Sequence, residues 1–98
     1  MVKFNRTQKF TKENIIKVPE NKAIVYKIKN AAGENLYTGI AGRGRGQDRL
    51  LEHKELKKEK IDGGTRFQYA QVKTKDRAEK IEKQIIKKEE PKFNIQGN

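Results

Sequence analysis

The sequence contains no cysteine, and only 33% of its residues are hydrophobic. Without cysteine the chain can form neither a disulfide framework nor a thiolate metal site, so a bound metal would need oxygen ligands or the single histidine, His53. No apolar run is long enough to cross a bilayer, and the N-terminus lacks the apolar centre of a secretory signal. These absences predict a protein of the cytoplasm or nucleoid that is not secreted and has no membrane partner.

The length of 98 residues limits the chain to one domain with a small core, because so short a chain leaves much of its surface exposed. Charged residues make up 38%, which places the composition near that of disordered proteins. Aromatic and β-branched residues nevertheless cluster at residues 23–29 and 66–72. This clustering predicts that the chain folds.

The net charge of +11 is large for so short a chain and favours a polyanionic partner, through counterion release from phosphates. The charge is +3 in residues 1–21, +4 in 22–46 and +4 in 47–98, so the folded body itself is basic. Composition alone does not distinguish a DNA- or RNA-binding module, a ribosome-associated structural protein and an enzyme that acts on nucleic acid.

The first half of the chain predicts an arm followed by a β-hairpin. Residues 1–21 alternate poorly and predict an arm with a short helical turn. Residues 23–29 and 36–41 are rich in β-branched and aromatic residues, and turn-favouring residues around Gly33 separate them. These two segments predict antiparallel strands.

The second half of the chain predicts a helix, a strand and a second helix. The three segments are residues 48–60, 66–74 and 78–90. Asp48 is available as the N-cap of the first helix, and either Thr74 or Asp76 can cap the second. The predicted order of the elements is therefore ββαβα.

Glu82 occupies an unusual position on the second predicted helix. At about 100° per residue, it falls inside the arc of apolar residues that faces the core. That arc is formed by Ala78, Ile81, Ile85 and Ile86. A carboxylate is costly to desolvate unless it meets a cation or a metal, so this position requires a partner. The alternative is a partly exposed glutamate paired with a nearby arginine.

Arg49 and His53 are four residues apart on the first predicted helix and therefore share one face. An arginine can neutralise a phosphate whose charge grows in a transition state, and an adjacent imidazole can transfer or orient a proton. The alternative is an ordinary surface pair.

The hairpin and the loop after it supply further candidates. Tyr26 and Tyr37 lie in the two strands, and Gly39 permits close backbone approach at a strand end. Each tyrosine could meet a substrate or could be a packing residue with a wet hydroxyl. The loop over residues 42–47 lacks the spacing of nucleotide-binding motifs, and its Arg43 and Arg45 predict contacts with a nucleic-acid backbone.

Together these features resemble the GIY-YIG nuclease domain family in their order and spacing. The resemblance covers about residues 17–95, and it rests on the motif residues and on a Pro-Lys-Phe-Asn segment that ends at Asn94. A glutamate nine residues before Pro91 is typical of the family, which selects Glu82. The expected domain spans residues 22–95, with residues 1–21 as an arm and 96–98 as a tail.

The resemblance implies an α+β fold with a three-stranded antiparallel sheet flanked by helices. It implies an endonuclease that hydrolyses phosphodiester bonds with one Mg²⁺ or Mn²⁺ ion. Glu82 would be the metal ligand. Arg49 would hold the scissile phosphate, and Tyr37 would orient or deprotonate the attacking water.

The resemblance also suggests supporting roles. Tyr26 would help to position the water, and His53 resembles a histidine found in some members. Asn94 would hold the site together or contact the phosphate. Ile40 stands where some members carry a lysine, whose positive charge Arg43 or Arg45 could supply.

The expected partner is DNA, including branched or damaged DNA, or RNA. A second copy of the chain or a partner protein would supply specificity, because the chain has little room for a separate recognition domain. The alternatives are a catalytically silent nucleic-acid-binding module of the same fold and a ribosome-associated structural protein.

Overall fold

A computed structural model of the protein describes residues 2–56 and 60–95, so the predicted tail over residues 96–98 lies outside the described residues. In the described part of the chain, no helix combines the length and apolar composition that crossing a bilayer requires. The elements are, in order, β1 (Gln8–Lys9), α1 (Lys12–Ile15), β2 (Ala23–Lys29), β3 (Asn35–Ala41), α2 (Gly46–Glu55), β4 (Arg66–Val72), α3 (Lys75–Glu89) and α4 (Lys92–Ile95).

The sheet is antiparallel and has the strand order β1-β4-β2-β3. This confirms the predicted α+β fold, with the predicted ββαβα order present as β2-β3-α2-β4-α3. The prediction of three strands is wrong, because the arm adds β1 to the outer edge of β4 through Gln8 and Lys9. A two-residue strand is too short to produce the alternating pattern from which strands are predicted.

The hairpin of β2 and β3 determines which residues of the two strands lie opposite each other. Tyr26 lies opposite Gly39, and Ile28 lies opposite Tyr37. Gly33 in the turn has a φ of 88°, which favours glycine because a side chain would be strained there. The predicted turn therefore forms as expected, and the two tyrosines are placed on the same face of the sheet.

The sheet separates two hydrophobic cores, because side chains alternate between its faces. On one face, Ile24, Tyr26 and Ile28 pack with Leu50 of α2. The arm contributes further buried residues to this larger core: Phe10, Ile15 and Val18. On the opposite face, a smaller core joins β2 and β4 to α3. It comprises Ala23, Val25, Val72 and Ala78, with Ile81 and Ile85 packed against it.

The helix starts differ in how they are capped. Arg45 is the N-cap of α2 and makes no side-chain capping bond, so the predicted role of Asp48 as N-cap is wrong. The helix begins two residues earlier, which puts Asp48 in the first turn, where a carboxylate favours the helix dipole. For α3 the cap is Thr74, whose hydroxyl accepts a hydrogen bond from the Arg77 amide.

Glu89 fastens the last turn of α3 to the sheet. Its carboxylate accepts hydrogen bonds from the Lys27 ammonium on β2 and the Asn35 amide on β3, both at 3.0 Å. Burial alone would raise the pKa of the Glu89 carboxyl, but these bonds and the charges of Lys27 and Lys29 outweigh it and lower the pKa. The contact thus favours the charged carboxylate.

We expect Glu89→Gln to destabilise the protein at neutral pH by about 0.5–1 kcal/mol, a small value because the pair is partly exposed. Since the folded pKa is lowered, the contribution is present above the ordinary carboxyl pKa of about 4.3 and is lost as the pH falls through the folded value. Urea unfolding from pH 7 to pH 2.5 should show the difference closing in acid. The exposed Glu55→Gln serves as control and should show no such trend; a constant gap for Glu89→Gln would contradict the assignment.

Candidate active site

A cavity of about 520 Å³ lies where the end of β3 meets α2 and α3. Its apolar and glycine lining comes from Ile40, Ala41 and Gly42 of β3 and the loop after it. Its charged lining consists of Arg45, Arg49, Lys75, Glu79, Glu82 and Lys83. The cavity thus joins side chains from helices that pack on opposite faces of the sheet.

Glu82 is half-buried in this cavity. Among residues 2–56 and 60–95, no side chain forms a hydrogen bond or an ion pair with its carboxylate. The neighbouring Ile81 and Ile85 pack against the smaller core and hold the carboxylate at the edge of the buried face. Burial and the charge of Glu79 raise the pKa of Glu82 against the opposing charge of Lys83.

Arg49 is held in a defined orientation on α2. Its guanidinium donates a hydrogen bond to Glu52 at 2.5 Å, and about a third of each side chain is exposed. Burial alone would lower the pKa of Arg49, but Tyr26, Glu52 and Tyr37 together raise it. The guanidinium therefore remains charged, and a carboxylate directs its position in the cavity.

Behind Arg49, three aromatic side chains pack against one another. The Tyr26 hydroxyl lies 2.8 Å from His53 Nε2, and the Tyr37 and His53 rings are 4.8 Å apart. Tyr26 and His53 are buried, whereas Tyr37 is half-buried. Burial and then the neighbouring Tyr37 raise the pKa of Tyr26 far above that of a free phenol, despite the opposing effect of Arg49. Tyr26 is therefore a neutral phenol that hydrogen bonds.

Gly39 leaves room for this cluster. A β-carbon at this position would lie 2.5 Å from the Tyr26 hydroxyl oxygen and 2.9 Å from a Tyr37 ring carbon. The space above the glycine is thus filled by two tyrosines of the protein. A side chain at position 39 would force the buried Tyr26 ring to shift.

Asn94 does not line the charged cavity and binds the backbone of the edge strand β3. Its side-chain oxygen accepts a hydrogen bond from the Thr38 amide at 2.7 Å, and its side-chain nitrogen donates one to the Thr38 carbonyl at 2.9 Å. Thr38 is fully buried. The pair of bonds fastens α4 to the middle of β3.

The two loop arginines occupy different positions. Arg45 lines the cavity and lies 3.9 Å from Asp48, with both side chains mostly exposed. Arg43 is exposed and does not line the cavity. The structure therefore brings Arg45, Arg49 and Glu82 into one cavity and leaves Arg43 outside it.

Sequence reasoning did not select three of the charged residues in the cavity: Lys75, Glu79 and Lys83. Lys75 and Glu79 lie seven and three residues before Glu82 and share its side of α3, whereas Lys83 is the next residue and is turned by about 100°. The helical spacing was thus an available signal for Lys75 and Glu79, and adjacency in sequence for Lys83.

A comparison with known domain families gives the class of protein. Residues 22–95 match the profile of the GIY-YIG catalytic domain, and the chain therefore belongs to this family of nuclease domains. The match spans β2 to α4, the region that contains the aromatic cluster and the charged cavity.

Solved structures agree with this assignment. The chain is similar to the GIY-YIG N-terminal endonuclease domain of UvrC from Thermotoga maritima, bound to its catalytic divalent cation, magnesium, with 28% identity and a TM-score of 0.69. That match covers 87% of this chain and 100% of the other. An asparagine-to-alanine point mutant of the same domain, also bound to its catalytic divalent cation, gives 28% identity and a TM-score of 0.67 over 85% and 97% of the chains. No curated protein sequence gives a match.

We expect Gly39→Ala to destabilise the protein by about 1–3 kcal/mol, because the added methyl group overlaps the buried Tyr26 ring. The near-ultraviolet circular dichroism of the tyrosines should change as well. Gly42→Ala is the matched control, since a β-carbon there meets no atom within 4 Å, and it should change stability by less than about 1 kcal/mol. Equal effects of the two substitutions in urea unfolding would refute the packing role of Gly39.

Proposed function

We propose that this chain is a metal-dependent endonuclease that hydrolyses nucleic-acid phosphodiester bonds in the cavity between α2, α3 and the end of β3. The observation that carries the proposal is Glu82. Its half-buried carboxylate has no hydrogen-bond or ion-pair partner among the described residues and faces a cavity that Arg45 and Arg49 also line. Such a carboxylate is costly unless a cation joins it.

The donor set fits a hard divalent ion. Among residues 2–56 and 60–95, no cluster of three or more histidine or acidic side chains could hold a metal. One carboxylate suits Mg²⁺ or Mn²⁺, because such ions keep several waters and bind substrate phosphates rather than a cage of protein ligands. When bound by Glu82, the ion would stabilise negative charge on the phosphate and on the leaving oxygen.

Arg49 is proposed to orient the scissile phosphate. The guanidinium is charged at any physiological pH, and one of its nitrogens donates a hydrogen bond to the Glu52 carboxylate. A planar guanidinium can donate two parallel hydrogen bonds to phosphate oxygens. Some family members carry a lysine at the position of Ile40, which has no charge. Arg45 lines the same cavity and can supply a positive charge in its place.

The aromatic cluster is proposed to position the attacking water. Tyr37 is the half-buried member, so its hydroxyl would orient or deprotonate the water. Tyr26 has a raised pKa and keeps its proton, which suits it to hold its neighbours rather than to act as a base. His53 lies within hydrogen-bonding distance of Tyr26 and would hold that hydroxyl or pass a proton.

The proposed substrate is DNA, including branched or damaged DNA, or RNA, with the exposed Arg43 in a supporting contact. Gly39 and Asn94 would support the site from within the protein, through the packing of Tyr26 and the bonds to Thr38. We assign the nuclease domain to residues 22–95 and treat residues 1–21 as an arm. A second copy or a partner protein would supply selectivity for particular sites. The competing function is a nucleic-acid-binding module without catalytic activity. The plasmid-cutting assay described next separates this function from that of a nuclease.

We expect the purified protein to nick supercoiled plasmid with Mg²⁺ and to stop when EDTA is added. Glu82→Gln removes the charge of the carboxylate, and Arg49→Lys keeps the charge but loses the planar fork. Each should lower the cutting rate at least about 100-fold. Glu79→Gln is the matched control on the same helix and cavity, and it should stay within about threefold of the wild-type rate.

Circular dichroism and urea unfolding must show that the variants are folded. Loss of cutting in Glu82→Gln and Arg49→Lys also excludes a contaminating nuclease, since the same preparation steps apply to all the variants. Tight DNA binding by a wild-type protein that never cuts would establish the silent module instead. Equal loss in Glu79→Gln would contradict the specific role of Glu82.

A further inference from the structure

A second concave surface lies on the other side of α3. Two adjoining depressions share Val2, Phe4 and Arg77 and run between the arm, the end of β4 and α3. At about 100° per residue, the α3 residues that line them point roughly opposite to those around Glu82. The cationic residues of this surface, which we call the basic groove, are Lys3, Lys22, Lys73, Arg77, Lys80 and Lys88.

The basic groove has an uncompensated positive charge. Its six cations form no ion pair with any of the described residues. The one acidic residue in its lining is Glu89, which already pairs with Lys27. By contrast, the cavity around Glu82 contains two carboxylates. The groove is therefore the part of the α3 surface where an anionic ligand would meet six cations that are unpaired among the described residues and one carboxylate that is already paired.

The cations follow a regular row along α3. Arg77, Lys80 and Lys88 line the groove with Gln84 between them, at intervals of three, four and four residues. The row is about 16 Å long at a rise of about 1.5 Å per residue. One strand of a DNA duplex presents a phosphate about every 3.4 Å of axis and also winds around that axis, so the three cations of the straight row can reach at most about three phosphates.

The floor of the groove is apolar, with Ile81 and Ile85 exposed in part beside the Phe4 ring. Lys27 Nζ, on β2 of the sheet, lies 4.7 Å from the centre of the Phe4 ring and makes a cation–π contact with it. Long lysine stems can lie along such a floor with their charged ends at the rim. A polyanion would thus contact the rim cations along the length of the helix.

We propose that the basic groove binds the phosphodiester backbone of a nucleic acid, at a segment separate from the one that enters the cavity around Glu82. The inference rests on the proposed nuclease function for the identity of the polyanion. The length of the cation row and the absence of an unpaired acid in the groove favour a regular phosphate backbone. The groove would give the nuclease domain a second contact with its substrate.

The test is a metal-free binding measurement with two triple variants of equal charge. Arg77→Ala/Lys80→Ala/Lys88→Ala removes the row, and Lys12→Ala/Lys17→Ala/Lys54→Ala removes three exposed lysines from the α1 and α2 side. Fluorescence anisotropy of a labelled 30-base-pair DNA duplex in EDTA, between 50 and 200 mM salt, gives the affinity and its salt dependence. Five of the six positions lie in helices, where alanine is well tolerated, and Lys17 lies in the turn after α1.

We expect the groove variant to bind at least about tenfold more weakly, with the slope of log affinity against log salt reduced by about 2–3. The control variant should bind within about twofold of the wild type. Equal weakening in both variants, or unchanged affinity in the groove variant, would overturn the proposal. Binding of polyglutamate that is lost in the groove variant while duplex binding is kept would also overturn it, in favour of an acidic protein partner.

The outcome is separable from that of the nuclease proposal, because the binding assay needs neither a metal nor cutting. A wild-type protein that never cuts, but whose groove variant loses duplex affinity, would keep the groove and reject the nuclease. If the wild type cuts DNA but the groove variant binds the duplex as well as the control variant does, the nuclease proposal would be kept and the groove proposal rejected.

Discussion

The packing of Tyr26 over Gly39 is the constraint on which the site depends. The two residues face each other across β2 and β3, and the phenol fills the space that a side chain at position 39 would need. The hydroxyl reaches from the sheet to His53 on α2. Arg49 lies one helical turn before His53, so the same contact fixes the direction from which the guanidinium enters the cavity. The buried Tyr26 ring thereby links the sheet to the helix that carries Arg49.

The cavity is assembled at the end of one strand from two helices that never share a face of the sheet. Helix α2 belongs to the larger core and α3 to the smaller one, and they meet only beyond β3. Each helix is held separately, α2 through the aromatic cluster and α3 through its apolar face and the Glu89 contact. A change in either core therefore alters the distance between the arginine and the glutamate without touching either residue.

Local periodicity accounts for what the sequence could predict. The strands of the hairpin and the position of Glu82 at the edge of an apolar arc follow from the spacing of neighbouring residues, and the structure has both. The predicted start of α2 is wrong. Asp48 is a good capping residue and was therefore chosen, but the N-cap is Arg45, whose side chain makes no capping hydrogen bond. The contact between Tyr26 and His53 joins residues 27 apart and arises only from the packing of a helix on a sheet, so no local pattern contains it. The family resemblance supplied these two residues as candidates, but their contact required the fold.

The bonds between Asn94 and Thr38 have a consequence for solubility. An edge strand with free amides and carbonyls is a template on which a strand of another molecule can add. Here a single primary amide satisfies one donor and one acceptor of β3, as a residue of a neighbouring strand would. The exposed margin of the sheet is thus blocked at its middle without a further strand. The end of β3 still borders the charged cavity, so the same edge is open at its end and closed to strand addition at its middle.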